Sequence, residues 1–501
     1  MEKYLLGIDI GGTETKSCIF DSGGNLVGTA GVSVPVEIPA PDHVERDAGT
    51  VWSAVCQTVR SALHDAGISP DRIACIGLTG YGNGTLLADS DGNAIGKAIV
   101  STDNRGQKTV LEARRSGLEE KAFALSHQGL WSAQTCTLLM WLNENRREDV
   151  DRARWFLGIK EYIRMKLTGM PCCEITEASS TGLMNIRTRS FDLELFRLLG
   201  IENCFRLAPP CVDCSEPLGS VTEDAAALTG LAAGTPVTGA IFDVDAGLLG
   251  SGILDGDTLC MIAGTWSINE YLSDDISYGY GETTNSVSCS FLEGRYLIEE
   301  STPTSASNFS WFLDQFMRPF LPDLSPGELY DRCNEMVAST DPEDSQVVFI
   351  PYLYASATHP DAKAGFLNVS GYTTMAHMVR AVYEGVVFSS LFNIRRLMAR
   401  GKKFSRARLS GGLTNSPVCT QMMADASGIP IEVPDGSELS ALGVCIAAGV
   451  GCGLYRDYAD GVEKTVRVLR TYLPDASRTE IYRIKYARYE KALEALDVFY
   501  G

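Results

Sequence analysis

Two kinds of hydrophobic spacing alternate along this chain. Apolar runs of strand length cover 4 to 10, 16 to 20 and 25 to 30, and then Val51, Val55, Val59 and Leu63 recur at the spacing of one helix face over 48 to 66. Ile73 to Leu78 predicts a further buried strand that runs into Thr79-Gly-Tyr-Gly-Asn-Gly84. Helical segments follow near 104 to 117, 134 to 145 and 156 to 167, the last closing at Thr168-Gly169. Beyond a turn-rich stretch from Pro209 through Pro217, an apolar strand over Val237 to Phe242 ends in Asp243-Val-Asp-Ala-Gly247. From about residue 248 the pattern restarts, with strands at 258 to 263 and near 268 to 271, a hairpin near 285 to 299 and a long helix over 373 to 397. A short strand, Ala407 to Leu409, then ends at Ser410-Gly-Gly-Leu-Thr-Asn-Ser416. Tyr482, Tyr486, Tyr489, Leu493 and Leu496 keep helical spacing, which marks a packing stripe rather than an aromatic site. Strands alternating with helices predict an α/β fold, and the restart predicts two domains, 1–247 and 248–501.

Length agrees with that division, because 501 residues exceed the size at which a single core stops growing. An apolar fraction of 45% gives each domain a core. The N-terminus carries no basic region followed by a signal-peptide hydrophobic run, and no apolar stretch is long enough to span a bilayer, so a cytoplasmic protein is expected. A formal net charge of -20 disfavours nucleic acid or an anionic membrane as partner, but local backbone N–H groups and a magnesium ion can still hold a small anion. The fifteen cysteines are odd in number and irregularly spaced, as buried free thiols are. Cys211 and Cys214 form a C-x-x-C with no partner pair at zinc-finger spacing. The oligomeric state stays open, a homodimer included.

Candidate chemistry gathers at strand ends. In Gly7-Ile-Asp-Ile-Gly-Gly-Thr13, Gly11 and Gly12 allow a tight turn and close approach to a phosphate, while Thr13 and Lys16 add a hydroxyl and a positive charge. Asp9 cannot bind phosphate directly, and its natural partner is magnesium or the water around it. Gly264 and Thr265 end a second apolar run, so two such turns facing each other would hold one polyphosphate. Neither turn has the spacing of a P-loop or of a dinucleotide fingerprint. Asp243 ends an apolar strand, where a carboxylate can take the proton of a hydroxyl attacking phosphorus. The alternative is that Asp243 caps the following helix, with Asp245 as the functional acid or neither. Asp103 and Arg105 form either a clamp for vicinal sugar hydroxyls or a structural ion pair. Gly411, Gly412 and Asn415 make either an opening for a nucleoside or a plain strand-to-helix turn.

Taken together, these motifs resemble the FGGY carbohydrate kinase family over nearly all of residues 3 to 497, and within it the L-xylulose kinase branch. The likeness also includes Val44-Glu-Arg-Asp47, Gly77-Leu-Thr-Gly-Tyr-Gly-Asn-Gly84, Ala98-Ile-Val-Ser-Thr-Asp103 and Tyr383-Glu-Gly-Val-Val-Phe388. The resemblance implies two ribonuclease H-like domains of the actin, sugar kinase and heat-shock ATPase superfamily, with ATP in the cleft between them and the sugar on the N-terminal side. It makes Asp243 the general base, with a further part in magnesium binding open to it, and gives Asp9 a magnesium role. It sets Tyr81, Asn83, Asp103 and Arg105 at the sugar, Gly264 and Thr265 at phosphate, and Gly411, Gly412 and Asn415 beside the nucleoside. The implied activity is ATP-dependent phosphorylation of the terminal hydroxyl of a ketopentose, L-xylulose first. Other ketoses, sugar acids and polyols are alternatives, as is a sugar-responsive protein without transfer activity.

Overall fold

The structure, a computed structural model, describes all residues except Met1, Thr265, 282–285, Pro303, 355–361 and Gly501. By compactness the chain forms two units, each assembled from separate stretches. The first comprises Met1–Leu254, Leu272–Ile298 and Glu438–Val466, and the second Asp255–Tyr271, Glu299–Ser437 and Arg467–Gly501. The two returns to the first unit have no counterpart in the sequence pattern, because linear periodicity carries no record of which core a helix joins.

The first unit is built on a mixed sheet. Tyr4–Ile10 and Glu14–Asp21 form an antiparallel hairpin that continues to Leu26–Ser33, and Ile73–Gly80 lies parallel to Tyr4–Ile10 on the other side. The helix Ala48–Ala66 buries the predicted Val51, Val55, Val59 and Leu63 against this sheet. Its N-terminus is capped by Asp47, which accepts from the Thr50 amide, and it stops at Gly67 in the left-handed conformation. The expected strand from Val237 to Phe242 is two pieces, Pro236–Thr238 and Ile241–Phe242, both parallel to Ile73–Gly80. The break falls at Gly239–Ala240, where Ala240 has φ of 93° and Gly239 lies so close to the Asp213 carbonyl oxygen that a Cβ would sit 2.2 Å from it.

A second sheet of the first unit has no signature in the hydrophobic pattern. It orders Glu37–Ala40, His43–Arg46, Ala94–Ile99, Thr85–Ala88 and Trp155–Leu157, strands of three to six residues, too short to show a period. Three expected helices are present as Gln107–Arg115, Thr135–Asn145 and Ile159–Thr168.

The second unit repeats the logic of the first. Thr258–Ala263 pairs antiparallel with Ser267–Ser273 and parallel with Arg406–Ser410, which in turn pairs with Ile431–Pro434. The long helix is Met375–Met398, and its Phe388 ring meets Tyr482, Tyr486 and Tyr489 of the helix Ala476–Tyr500 at centroid distances of 6.3, 5.6 and 5.6 Å. That accounts for the aromatic stripe as core. Among the described residues no helix is long and apolar enough to cross a membrane. All fifteen cysteines are free thiols, and only Cys211 and Cys452 are not fully buried.

The helix Leu439–Gly451 belongs to the first unit and lies directly on its sheet. A Cβ on Gly7 would come 2.6 Å from the Ala441 carbonyl oxygen, and one on Gly77 2.4 Å from that of Val444. Backbone cannot yield as a side-chain tip can, so Gly77→Ala is expected to destabilise the protein by about 2 kcal/mol. Chemical denaturation checks this, with Gly327→Ala as control: that Cβ meets open space near a helix start, and the change is expected to leave the midpoint the same or slightly raised.

Candidate active site

Three strand ends of the first unit come together. In the sheet, Asp9 and Ile241 both lie opposite Thr79, from either side of the central strand Ile73–Gly80. All three strands are parallel, so Asp9, the Thr79–Asn83 segment and Asp243 leave the sheet at the same edge. The positions flanking Thr79 are two strand spacings apart, roughly 10 Å, a gap suited to a small ligand and a phosphoryl group.

The turn after Asp9 is held from inside. The Gly11 amide donates to the Glu14 carbonyl at 2.9 Å, and a Cβ on Gly11 would press on that same oxygen. Gly12 and Thr13 are exposed at the tip. Arg46, 1% exposed, donates Nη1 to the Gly11 carbonyl at 3.2 Å and Nη2 to that of Gly12, and its guanidinium lies 5.6 Å from the centre of the Tyr81 ring. One buried cation thus ties the turn to the neighbouring wall. Arg46 lies in the sheet that the hydrophobic pattern does not reveal, and nothing in its spacing distinguishes it from a surface arginine.

Asp9 faces acidic company. Burial, followed by the charge of Glu438, pushes its carboxyl up to about 6, with Lys16 pulling the other way. Lys16, expected to serve phosphate, is bound to Glu438 at 3.1 Å and lies 3.6 Å from Glu14. Burial pulls its ammonium pKa down, but the hydrogen bond and charge of Glu438 outweigh that and hold it above its ordinary value. Much of its charge is therefore compensated within the unit. Sequence reasoning misses Glu438, since it follows a loop and precedes an apolar helix with no motif around it.

Asp243 opens the helix Asp243–Gly250 and is half-buried, whereas Asp245 in the same turn is fully buried. The wall beside it is Tyr81 to Asn83. Burial pushes the Tyr81 phenol up to about 12, so it stays protonated at neutral pH. Gly82 lies against Phe242, where a Cβ would be 2.2 Å from the ring. Asn83 takes φ of 61°, donates its amide to Glu177 at 2.6 Å and its side-chain amide to Ser180 at 3.1 Å. Thr79 Oγ1, at this edge, and Arg105 Nη1 are buried without a hydrogen-bond partner among the described residues, groups that a ligand's hydroxyls can satisfy.

In the second unit the corresponding turns are Gly264 and Gly411–Gly412. Gly411 has φ of 91°, and a Cβ there would lie 2.6 Å from the Ala263 carbonyl oxygen, so the two strand ends are in contact. Gly412 and Asn415 are exposed within the short 3-10 helix Gly412–Asn415. Thr265 lies outside the described residues.

Residues 4–250 match the N-terminal domain of the FGGY family of carbohydrate kinases, and residues 259–452 its C-terminal domain. The chain belongs to this family. It is 33% identical to the L-xylulose/3-keto-L-gulonate kinase of Escherichia coli, over 100% of this chain and 99% of that one. Identity to the probable L-xylulose kinase of Haemophilus influenzae is 32%, over 98% and 99%. The ligand-bound xylulose kinase of Lactobacillus acidophilus superposes with a TM-score of 0.90 at 21% identity, covering 99% of this chain and 98% of the other. The fold is thus the two-domain α/β architecture of sugar kinases, and the protein is an ATP-dependent sugar phosphotransferase.

In this FGGY kinase Asp103 and Arg105 form the ion pair that their spacing also allowed. Asp103 Oδ1 accepts from the Arg105 amide at 2.8 Å and from its Nε at 2.9 Å, while Oδ2 accepts from the Val44 amide at 2.6 Å and Arg105 Nη2 at 2.8 Å. Arg105 Nη2 also reaches Glu45 at 2.9 Å, and the guanidinium lies 5.0 Å from the centre of the Trp141 ring. Both side chains are completely shielded from solvent. The pair is a brace tying the 101–106 segment to the strand His43–Arg46, and at most Arg105 Nη1 is left for a ligand. The C-x-x-C carries no metal cluster among the described residues either: Cys211 lies in a strand opposite Cys173, and Cys214 donates to Glu174 at 3.4 Å.

Removing one partner of a buried pair leaves the other uncompensated. Asp103→Ala is therefore expected to lower stability by about 3 to 5 kcal/mol, read as a shift in the denaturation midpoint. An unchanged midpoint with a raised KM for sugar alone would restore the clamp.

Proposed function

We propose that this kinase phosphorylates the terminal hydroxyl of a ketopentose, with L-xylulose the first candidate. The observation that carries the reading is the packing of Gly82 on Phe242, which puts a polar wall beside the residue that precedes Asp243. The names of the relatives support the sugar. A five-carbon ketose has enough hydroxyls to meet Thr79, Tyr81, Asn83 and Arg105 Nη1, and a hydroxyl missing opposite a buried polar group is penalised more than one facing solvent.

In this reading Asp243 orients the attacking hydroxyl and accepts its proton as the new O–P bond forms and the bond from the γ-phosphorus to the β,γ-bridging oxygen breaks, releasing ADP. Gly12 and Thr13, steadied by Arg46 through the turn's carbonyls, offer their exposed tip to the phosphates. Gly264, Thr265, Gly411, Gly412 and Asn415 serve the nucleotide. Burial first, and then the charge of Glu438, raise the Asp9 pKa, and a buried carboxylate with an acidic neighbour suits a cation; Asp9 would hold magnesium or its water shell, with Asp243 a second candidate, and the ion would offset charge on the phosphates. The reaction belongs in the cytoplasm, where ATP is supplied.

Two measurements test this. Asp243→Asn is expected to keep sugar binding and lower turnover by about a hundredfold or more; near-normal turnover would move the base elsewhere. Across L-xylulose, D-xylulose, L-ribulose, D-ribulose, 3-keto-L-gulonate, erythritol and glycerol, L-xylulose is expected to give the highest kcat/KM. A clear win for another compound would replace the substrate while leaving the kinase intact.

A further inference from the structure

The helix Ile159–Thr168 carries a fully buried lysine at its second position. Lys160 Nζ lies 2.5 Å from Glu161, 3.2 Å from Glu174 and 2.8 Å from Glu177, and all four side chains are shielded from solvent. One oxygen from each of the three carboxylates falls within 4.8 Å of the others, a donor set that would suit a divalent cation. The ammonium already occupies that role, so the cluster is its own cation site. Burial and the two neighbouring carboxylates push Glu161 up to about 7, which limits the uncompensated charge.

The cluster reaches both sides of the candidate active site. On one side, Glu177 Oε1 accepts the Asn83 amide at 2.6 Å while its Oε2 accepts Lys160. On the other, Glu174 Oε2 accepts the Thr176 hydroxyl at 2.7 Å, and that hydroxyl accepts the Phe242 amide at 3.0 Å. A continuous path, made of hydrogen bonds and the Lys160–Glu174 ion pair, therefore runs from Asn83 through Glu177, Lys160, Glu174 and Thr176 to the residue before Asp243. Charges buried this deeply are stable only when paired and hydrogen-bonded in one arrangement, so the path is stiff. We propose that Lys160 is a positioning residue that fixes the Tyr81–Asn83 wall relative to Asp243. The inference rests on the roles assigned above to that wall and to Asp243. It matters because a displacement near 1 Å between base and acceptor can lower turnover by roughly a hundredfold.

The link is best cut at Thr176, which leaves the ions in place. Thr176→Val keeps the volume and loses the hydroxyl, whereas Thr176→Ser keeps the hydroxyl and loses a methyl. Positioning predicts kcat about tenfold lower in Thr176→Val with KM for ATP within about twofold, and kcat restored in Thr176→Ser. A packing role predicts the reverse order, and that outcome, or equal kcat in all three proteins, overturns the proposal. A second readout needs no turnover. In Lys160→Met, hydrogen exchange at the Asn83 and Phe242 amides is expected to accelerate together, by about tenfold; acceleration at Asn83 alone would show that the path does not transmit. Should Lys160→Met fail to fold, Thr176→Val supplies the same comparison, with faster exchange expected at Phe242 and an unchanged rate there counting against the tether. If Asp243→Asn retained turnover, the assigned base would be wrong, whereas the exchange result would still decide whether the tether exists.

Discussion

Close backbone packing through glycine is the constraint on which the first unit depends. The helix Leu439–Gly451 meets the two central strands at Gly7 and Gly77 and meets the Asp243 helix at Gly250 and Gly443, where added Cβ atoms would lie 1.8 Å from the Leu439 carbonyl and 2.0 Å from that of Ala246. A helix can approach a sheet or another helix this closely only where side chains are absent between them. The strand that ends in Asp9, the strand that ends in the Tyr81 wall and the helix that begins with Asp243 are therefore positioned against one common element. Their relative placement is set by backbone lying directly on backbone, which has far less play than interdigitated side chains.

What the sequence discloses follows from what periodicity can encode. The helix Ala48–Ala66, the hairpin at Tyr4–Asp21 and the buried tyrosines near the C-terminus are readable because each has one apolar face and a regular repeat. The glycine-bearing strand ends are readable because a turn against bare backbone demands glycine. The sheet carrying Arg46 is not, since strands of three to six residues are too short to establish an alternation. The break at Gly239–Ala240 is equally hidden, for an alanine at φ of 93° gives no compositional sign.

Charged residues are the hardest to assign from sequence. Asp103 and Arg105 invite a functional reading because carboxylate and guanidinium sit two residues apart, and the same spacing produces the buried brace that is found. Lys16 in a glycine-rich turn suggests phosphate, but its partner Glu438 lies 422 residues away. Glu161, Glu174 and Glu177 stand out in no motif, because a lysine that neutralises them is visible only once the helix is folded onto its neighbours. Sign and spacing of charge thus indicate where chemistry concentrates, and burial decides which groups are structural.

The return of Glu438–Val466 to the first unit has a consequence for synthesis on the ribosome. When residue 254 has been made, the hydrophobic sheet face that the helix Leu439–Gly451 will cover is still bare. At 5 to 20 residues per second, the remaining stretch to residue 451 takes roughly 10 to 40 s to add. For that interval the nascent first unit presents Gly7 and Gly77 as an open groove between apolar strands. Its folding is completed late, from the far end of the chain, and the cell's holding chaperones have that whole window in which to engage it.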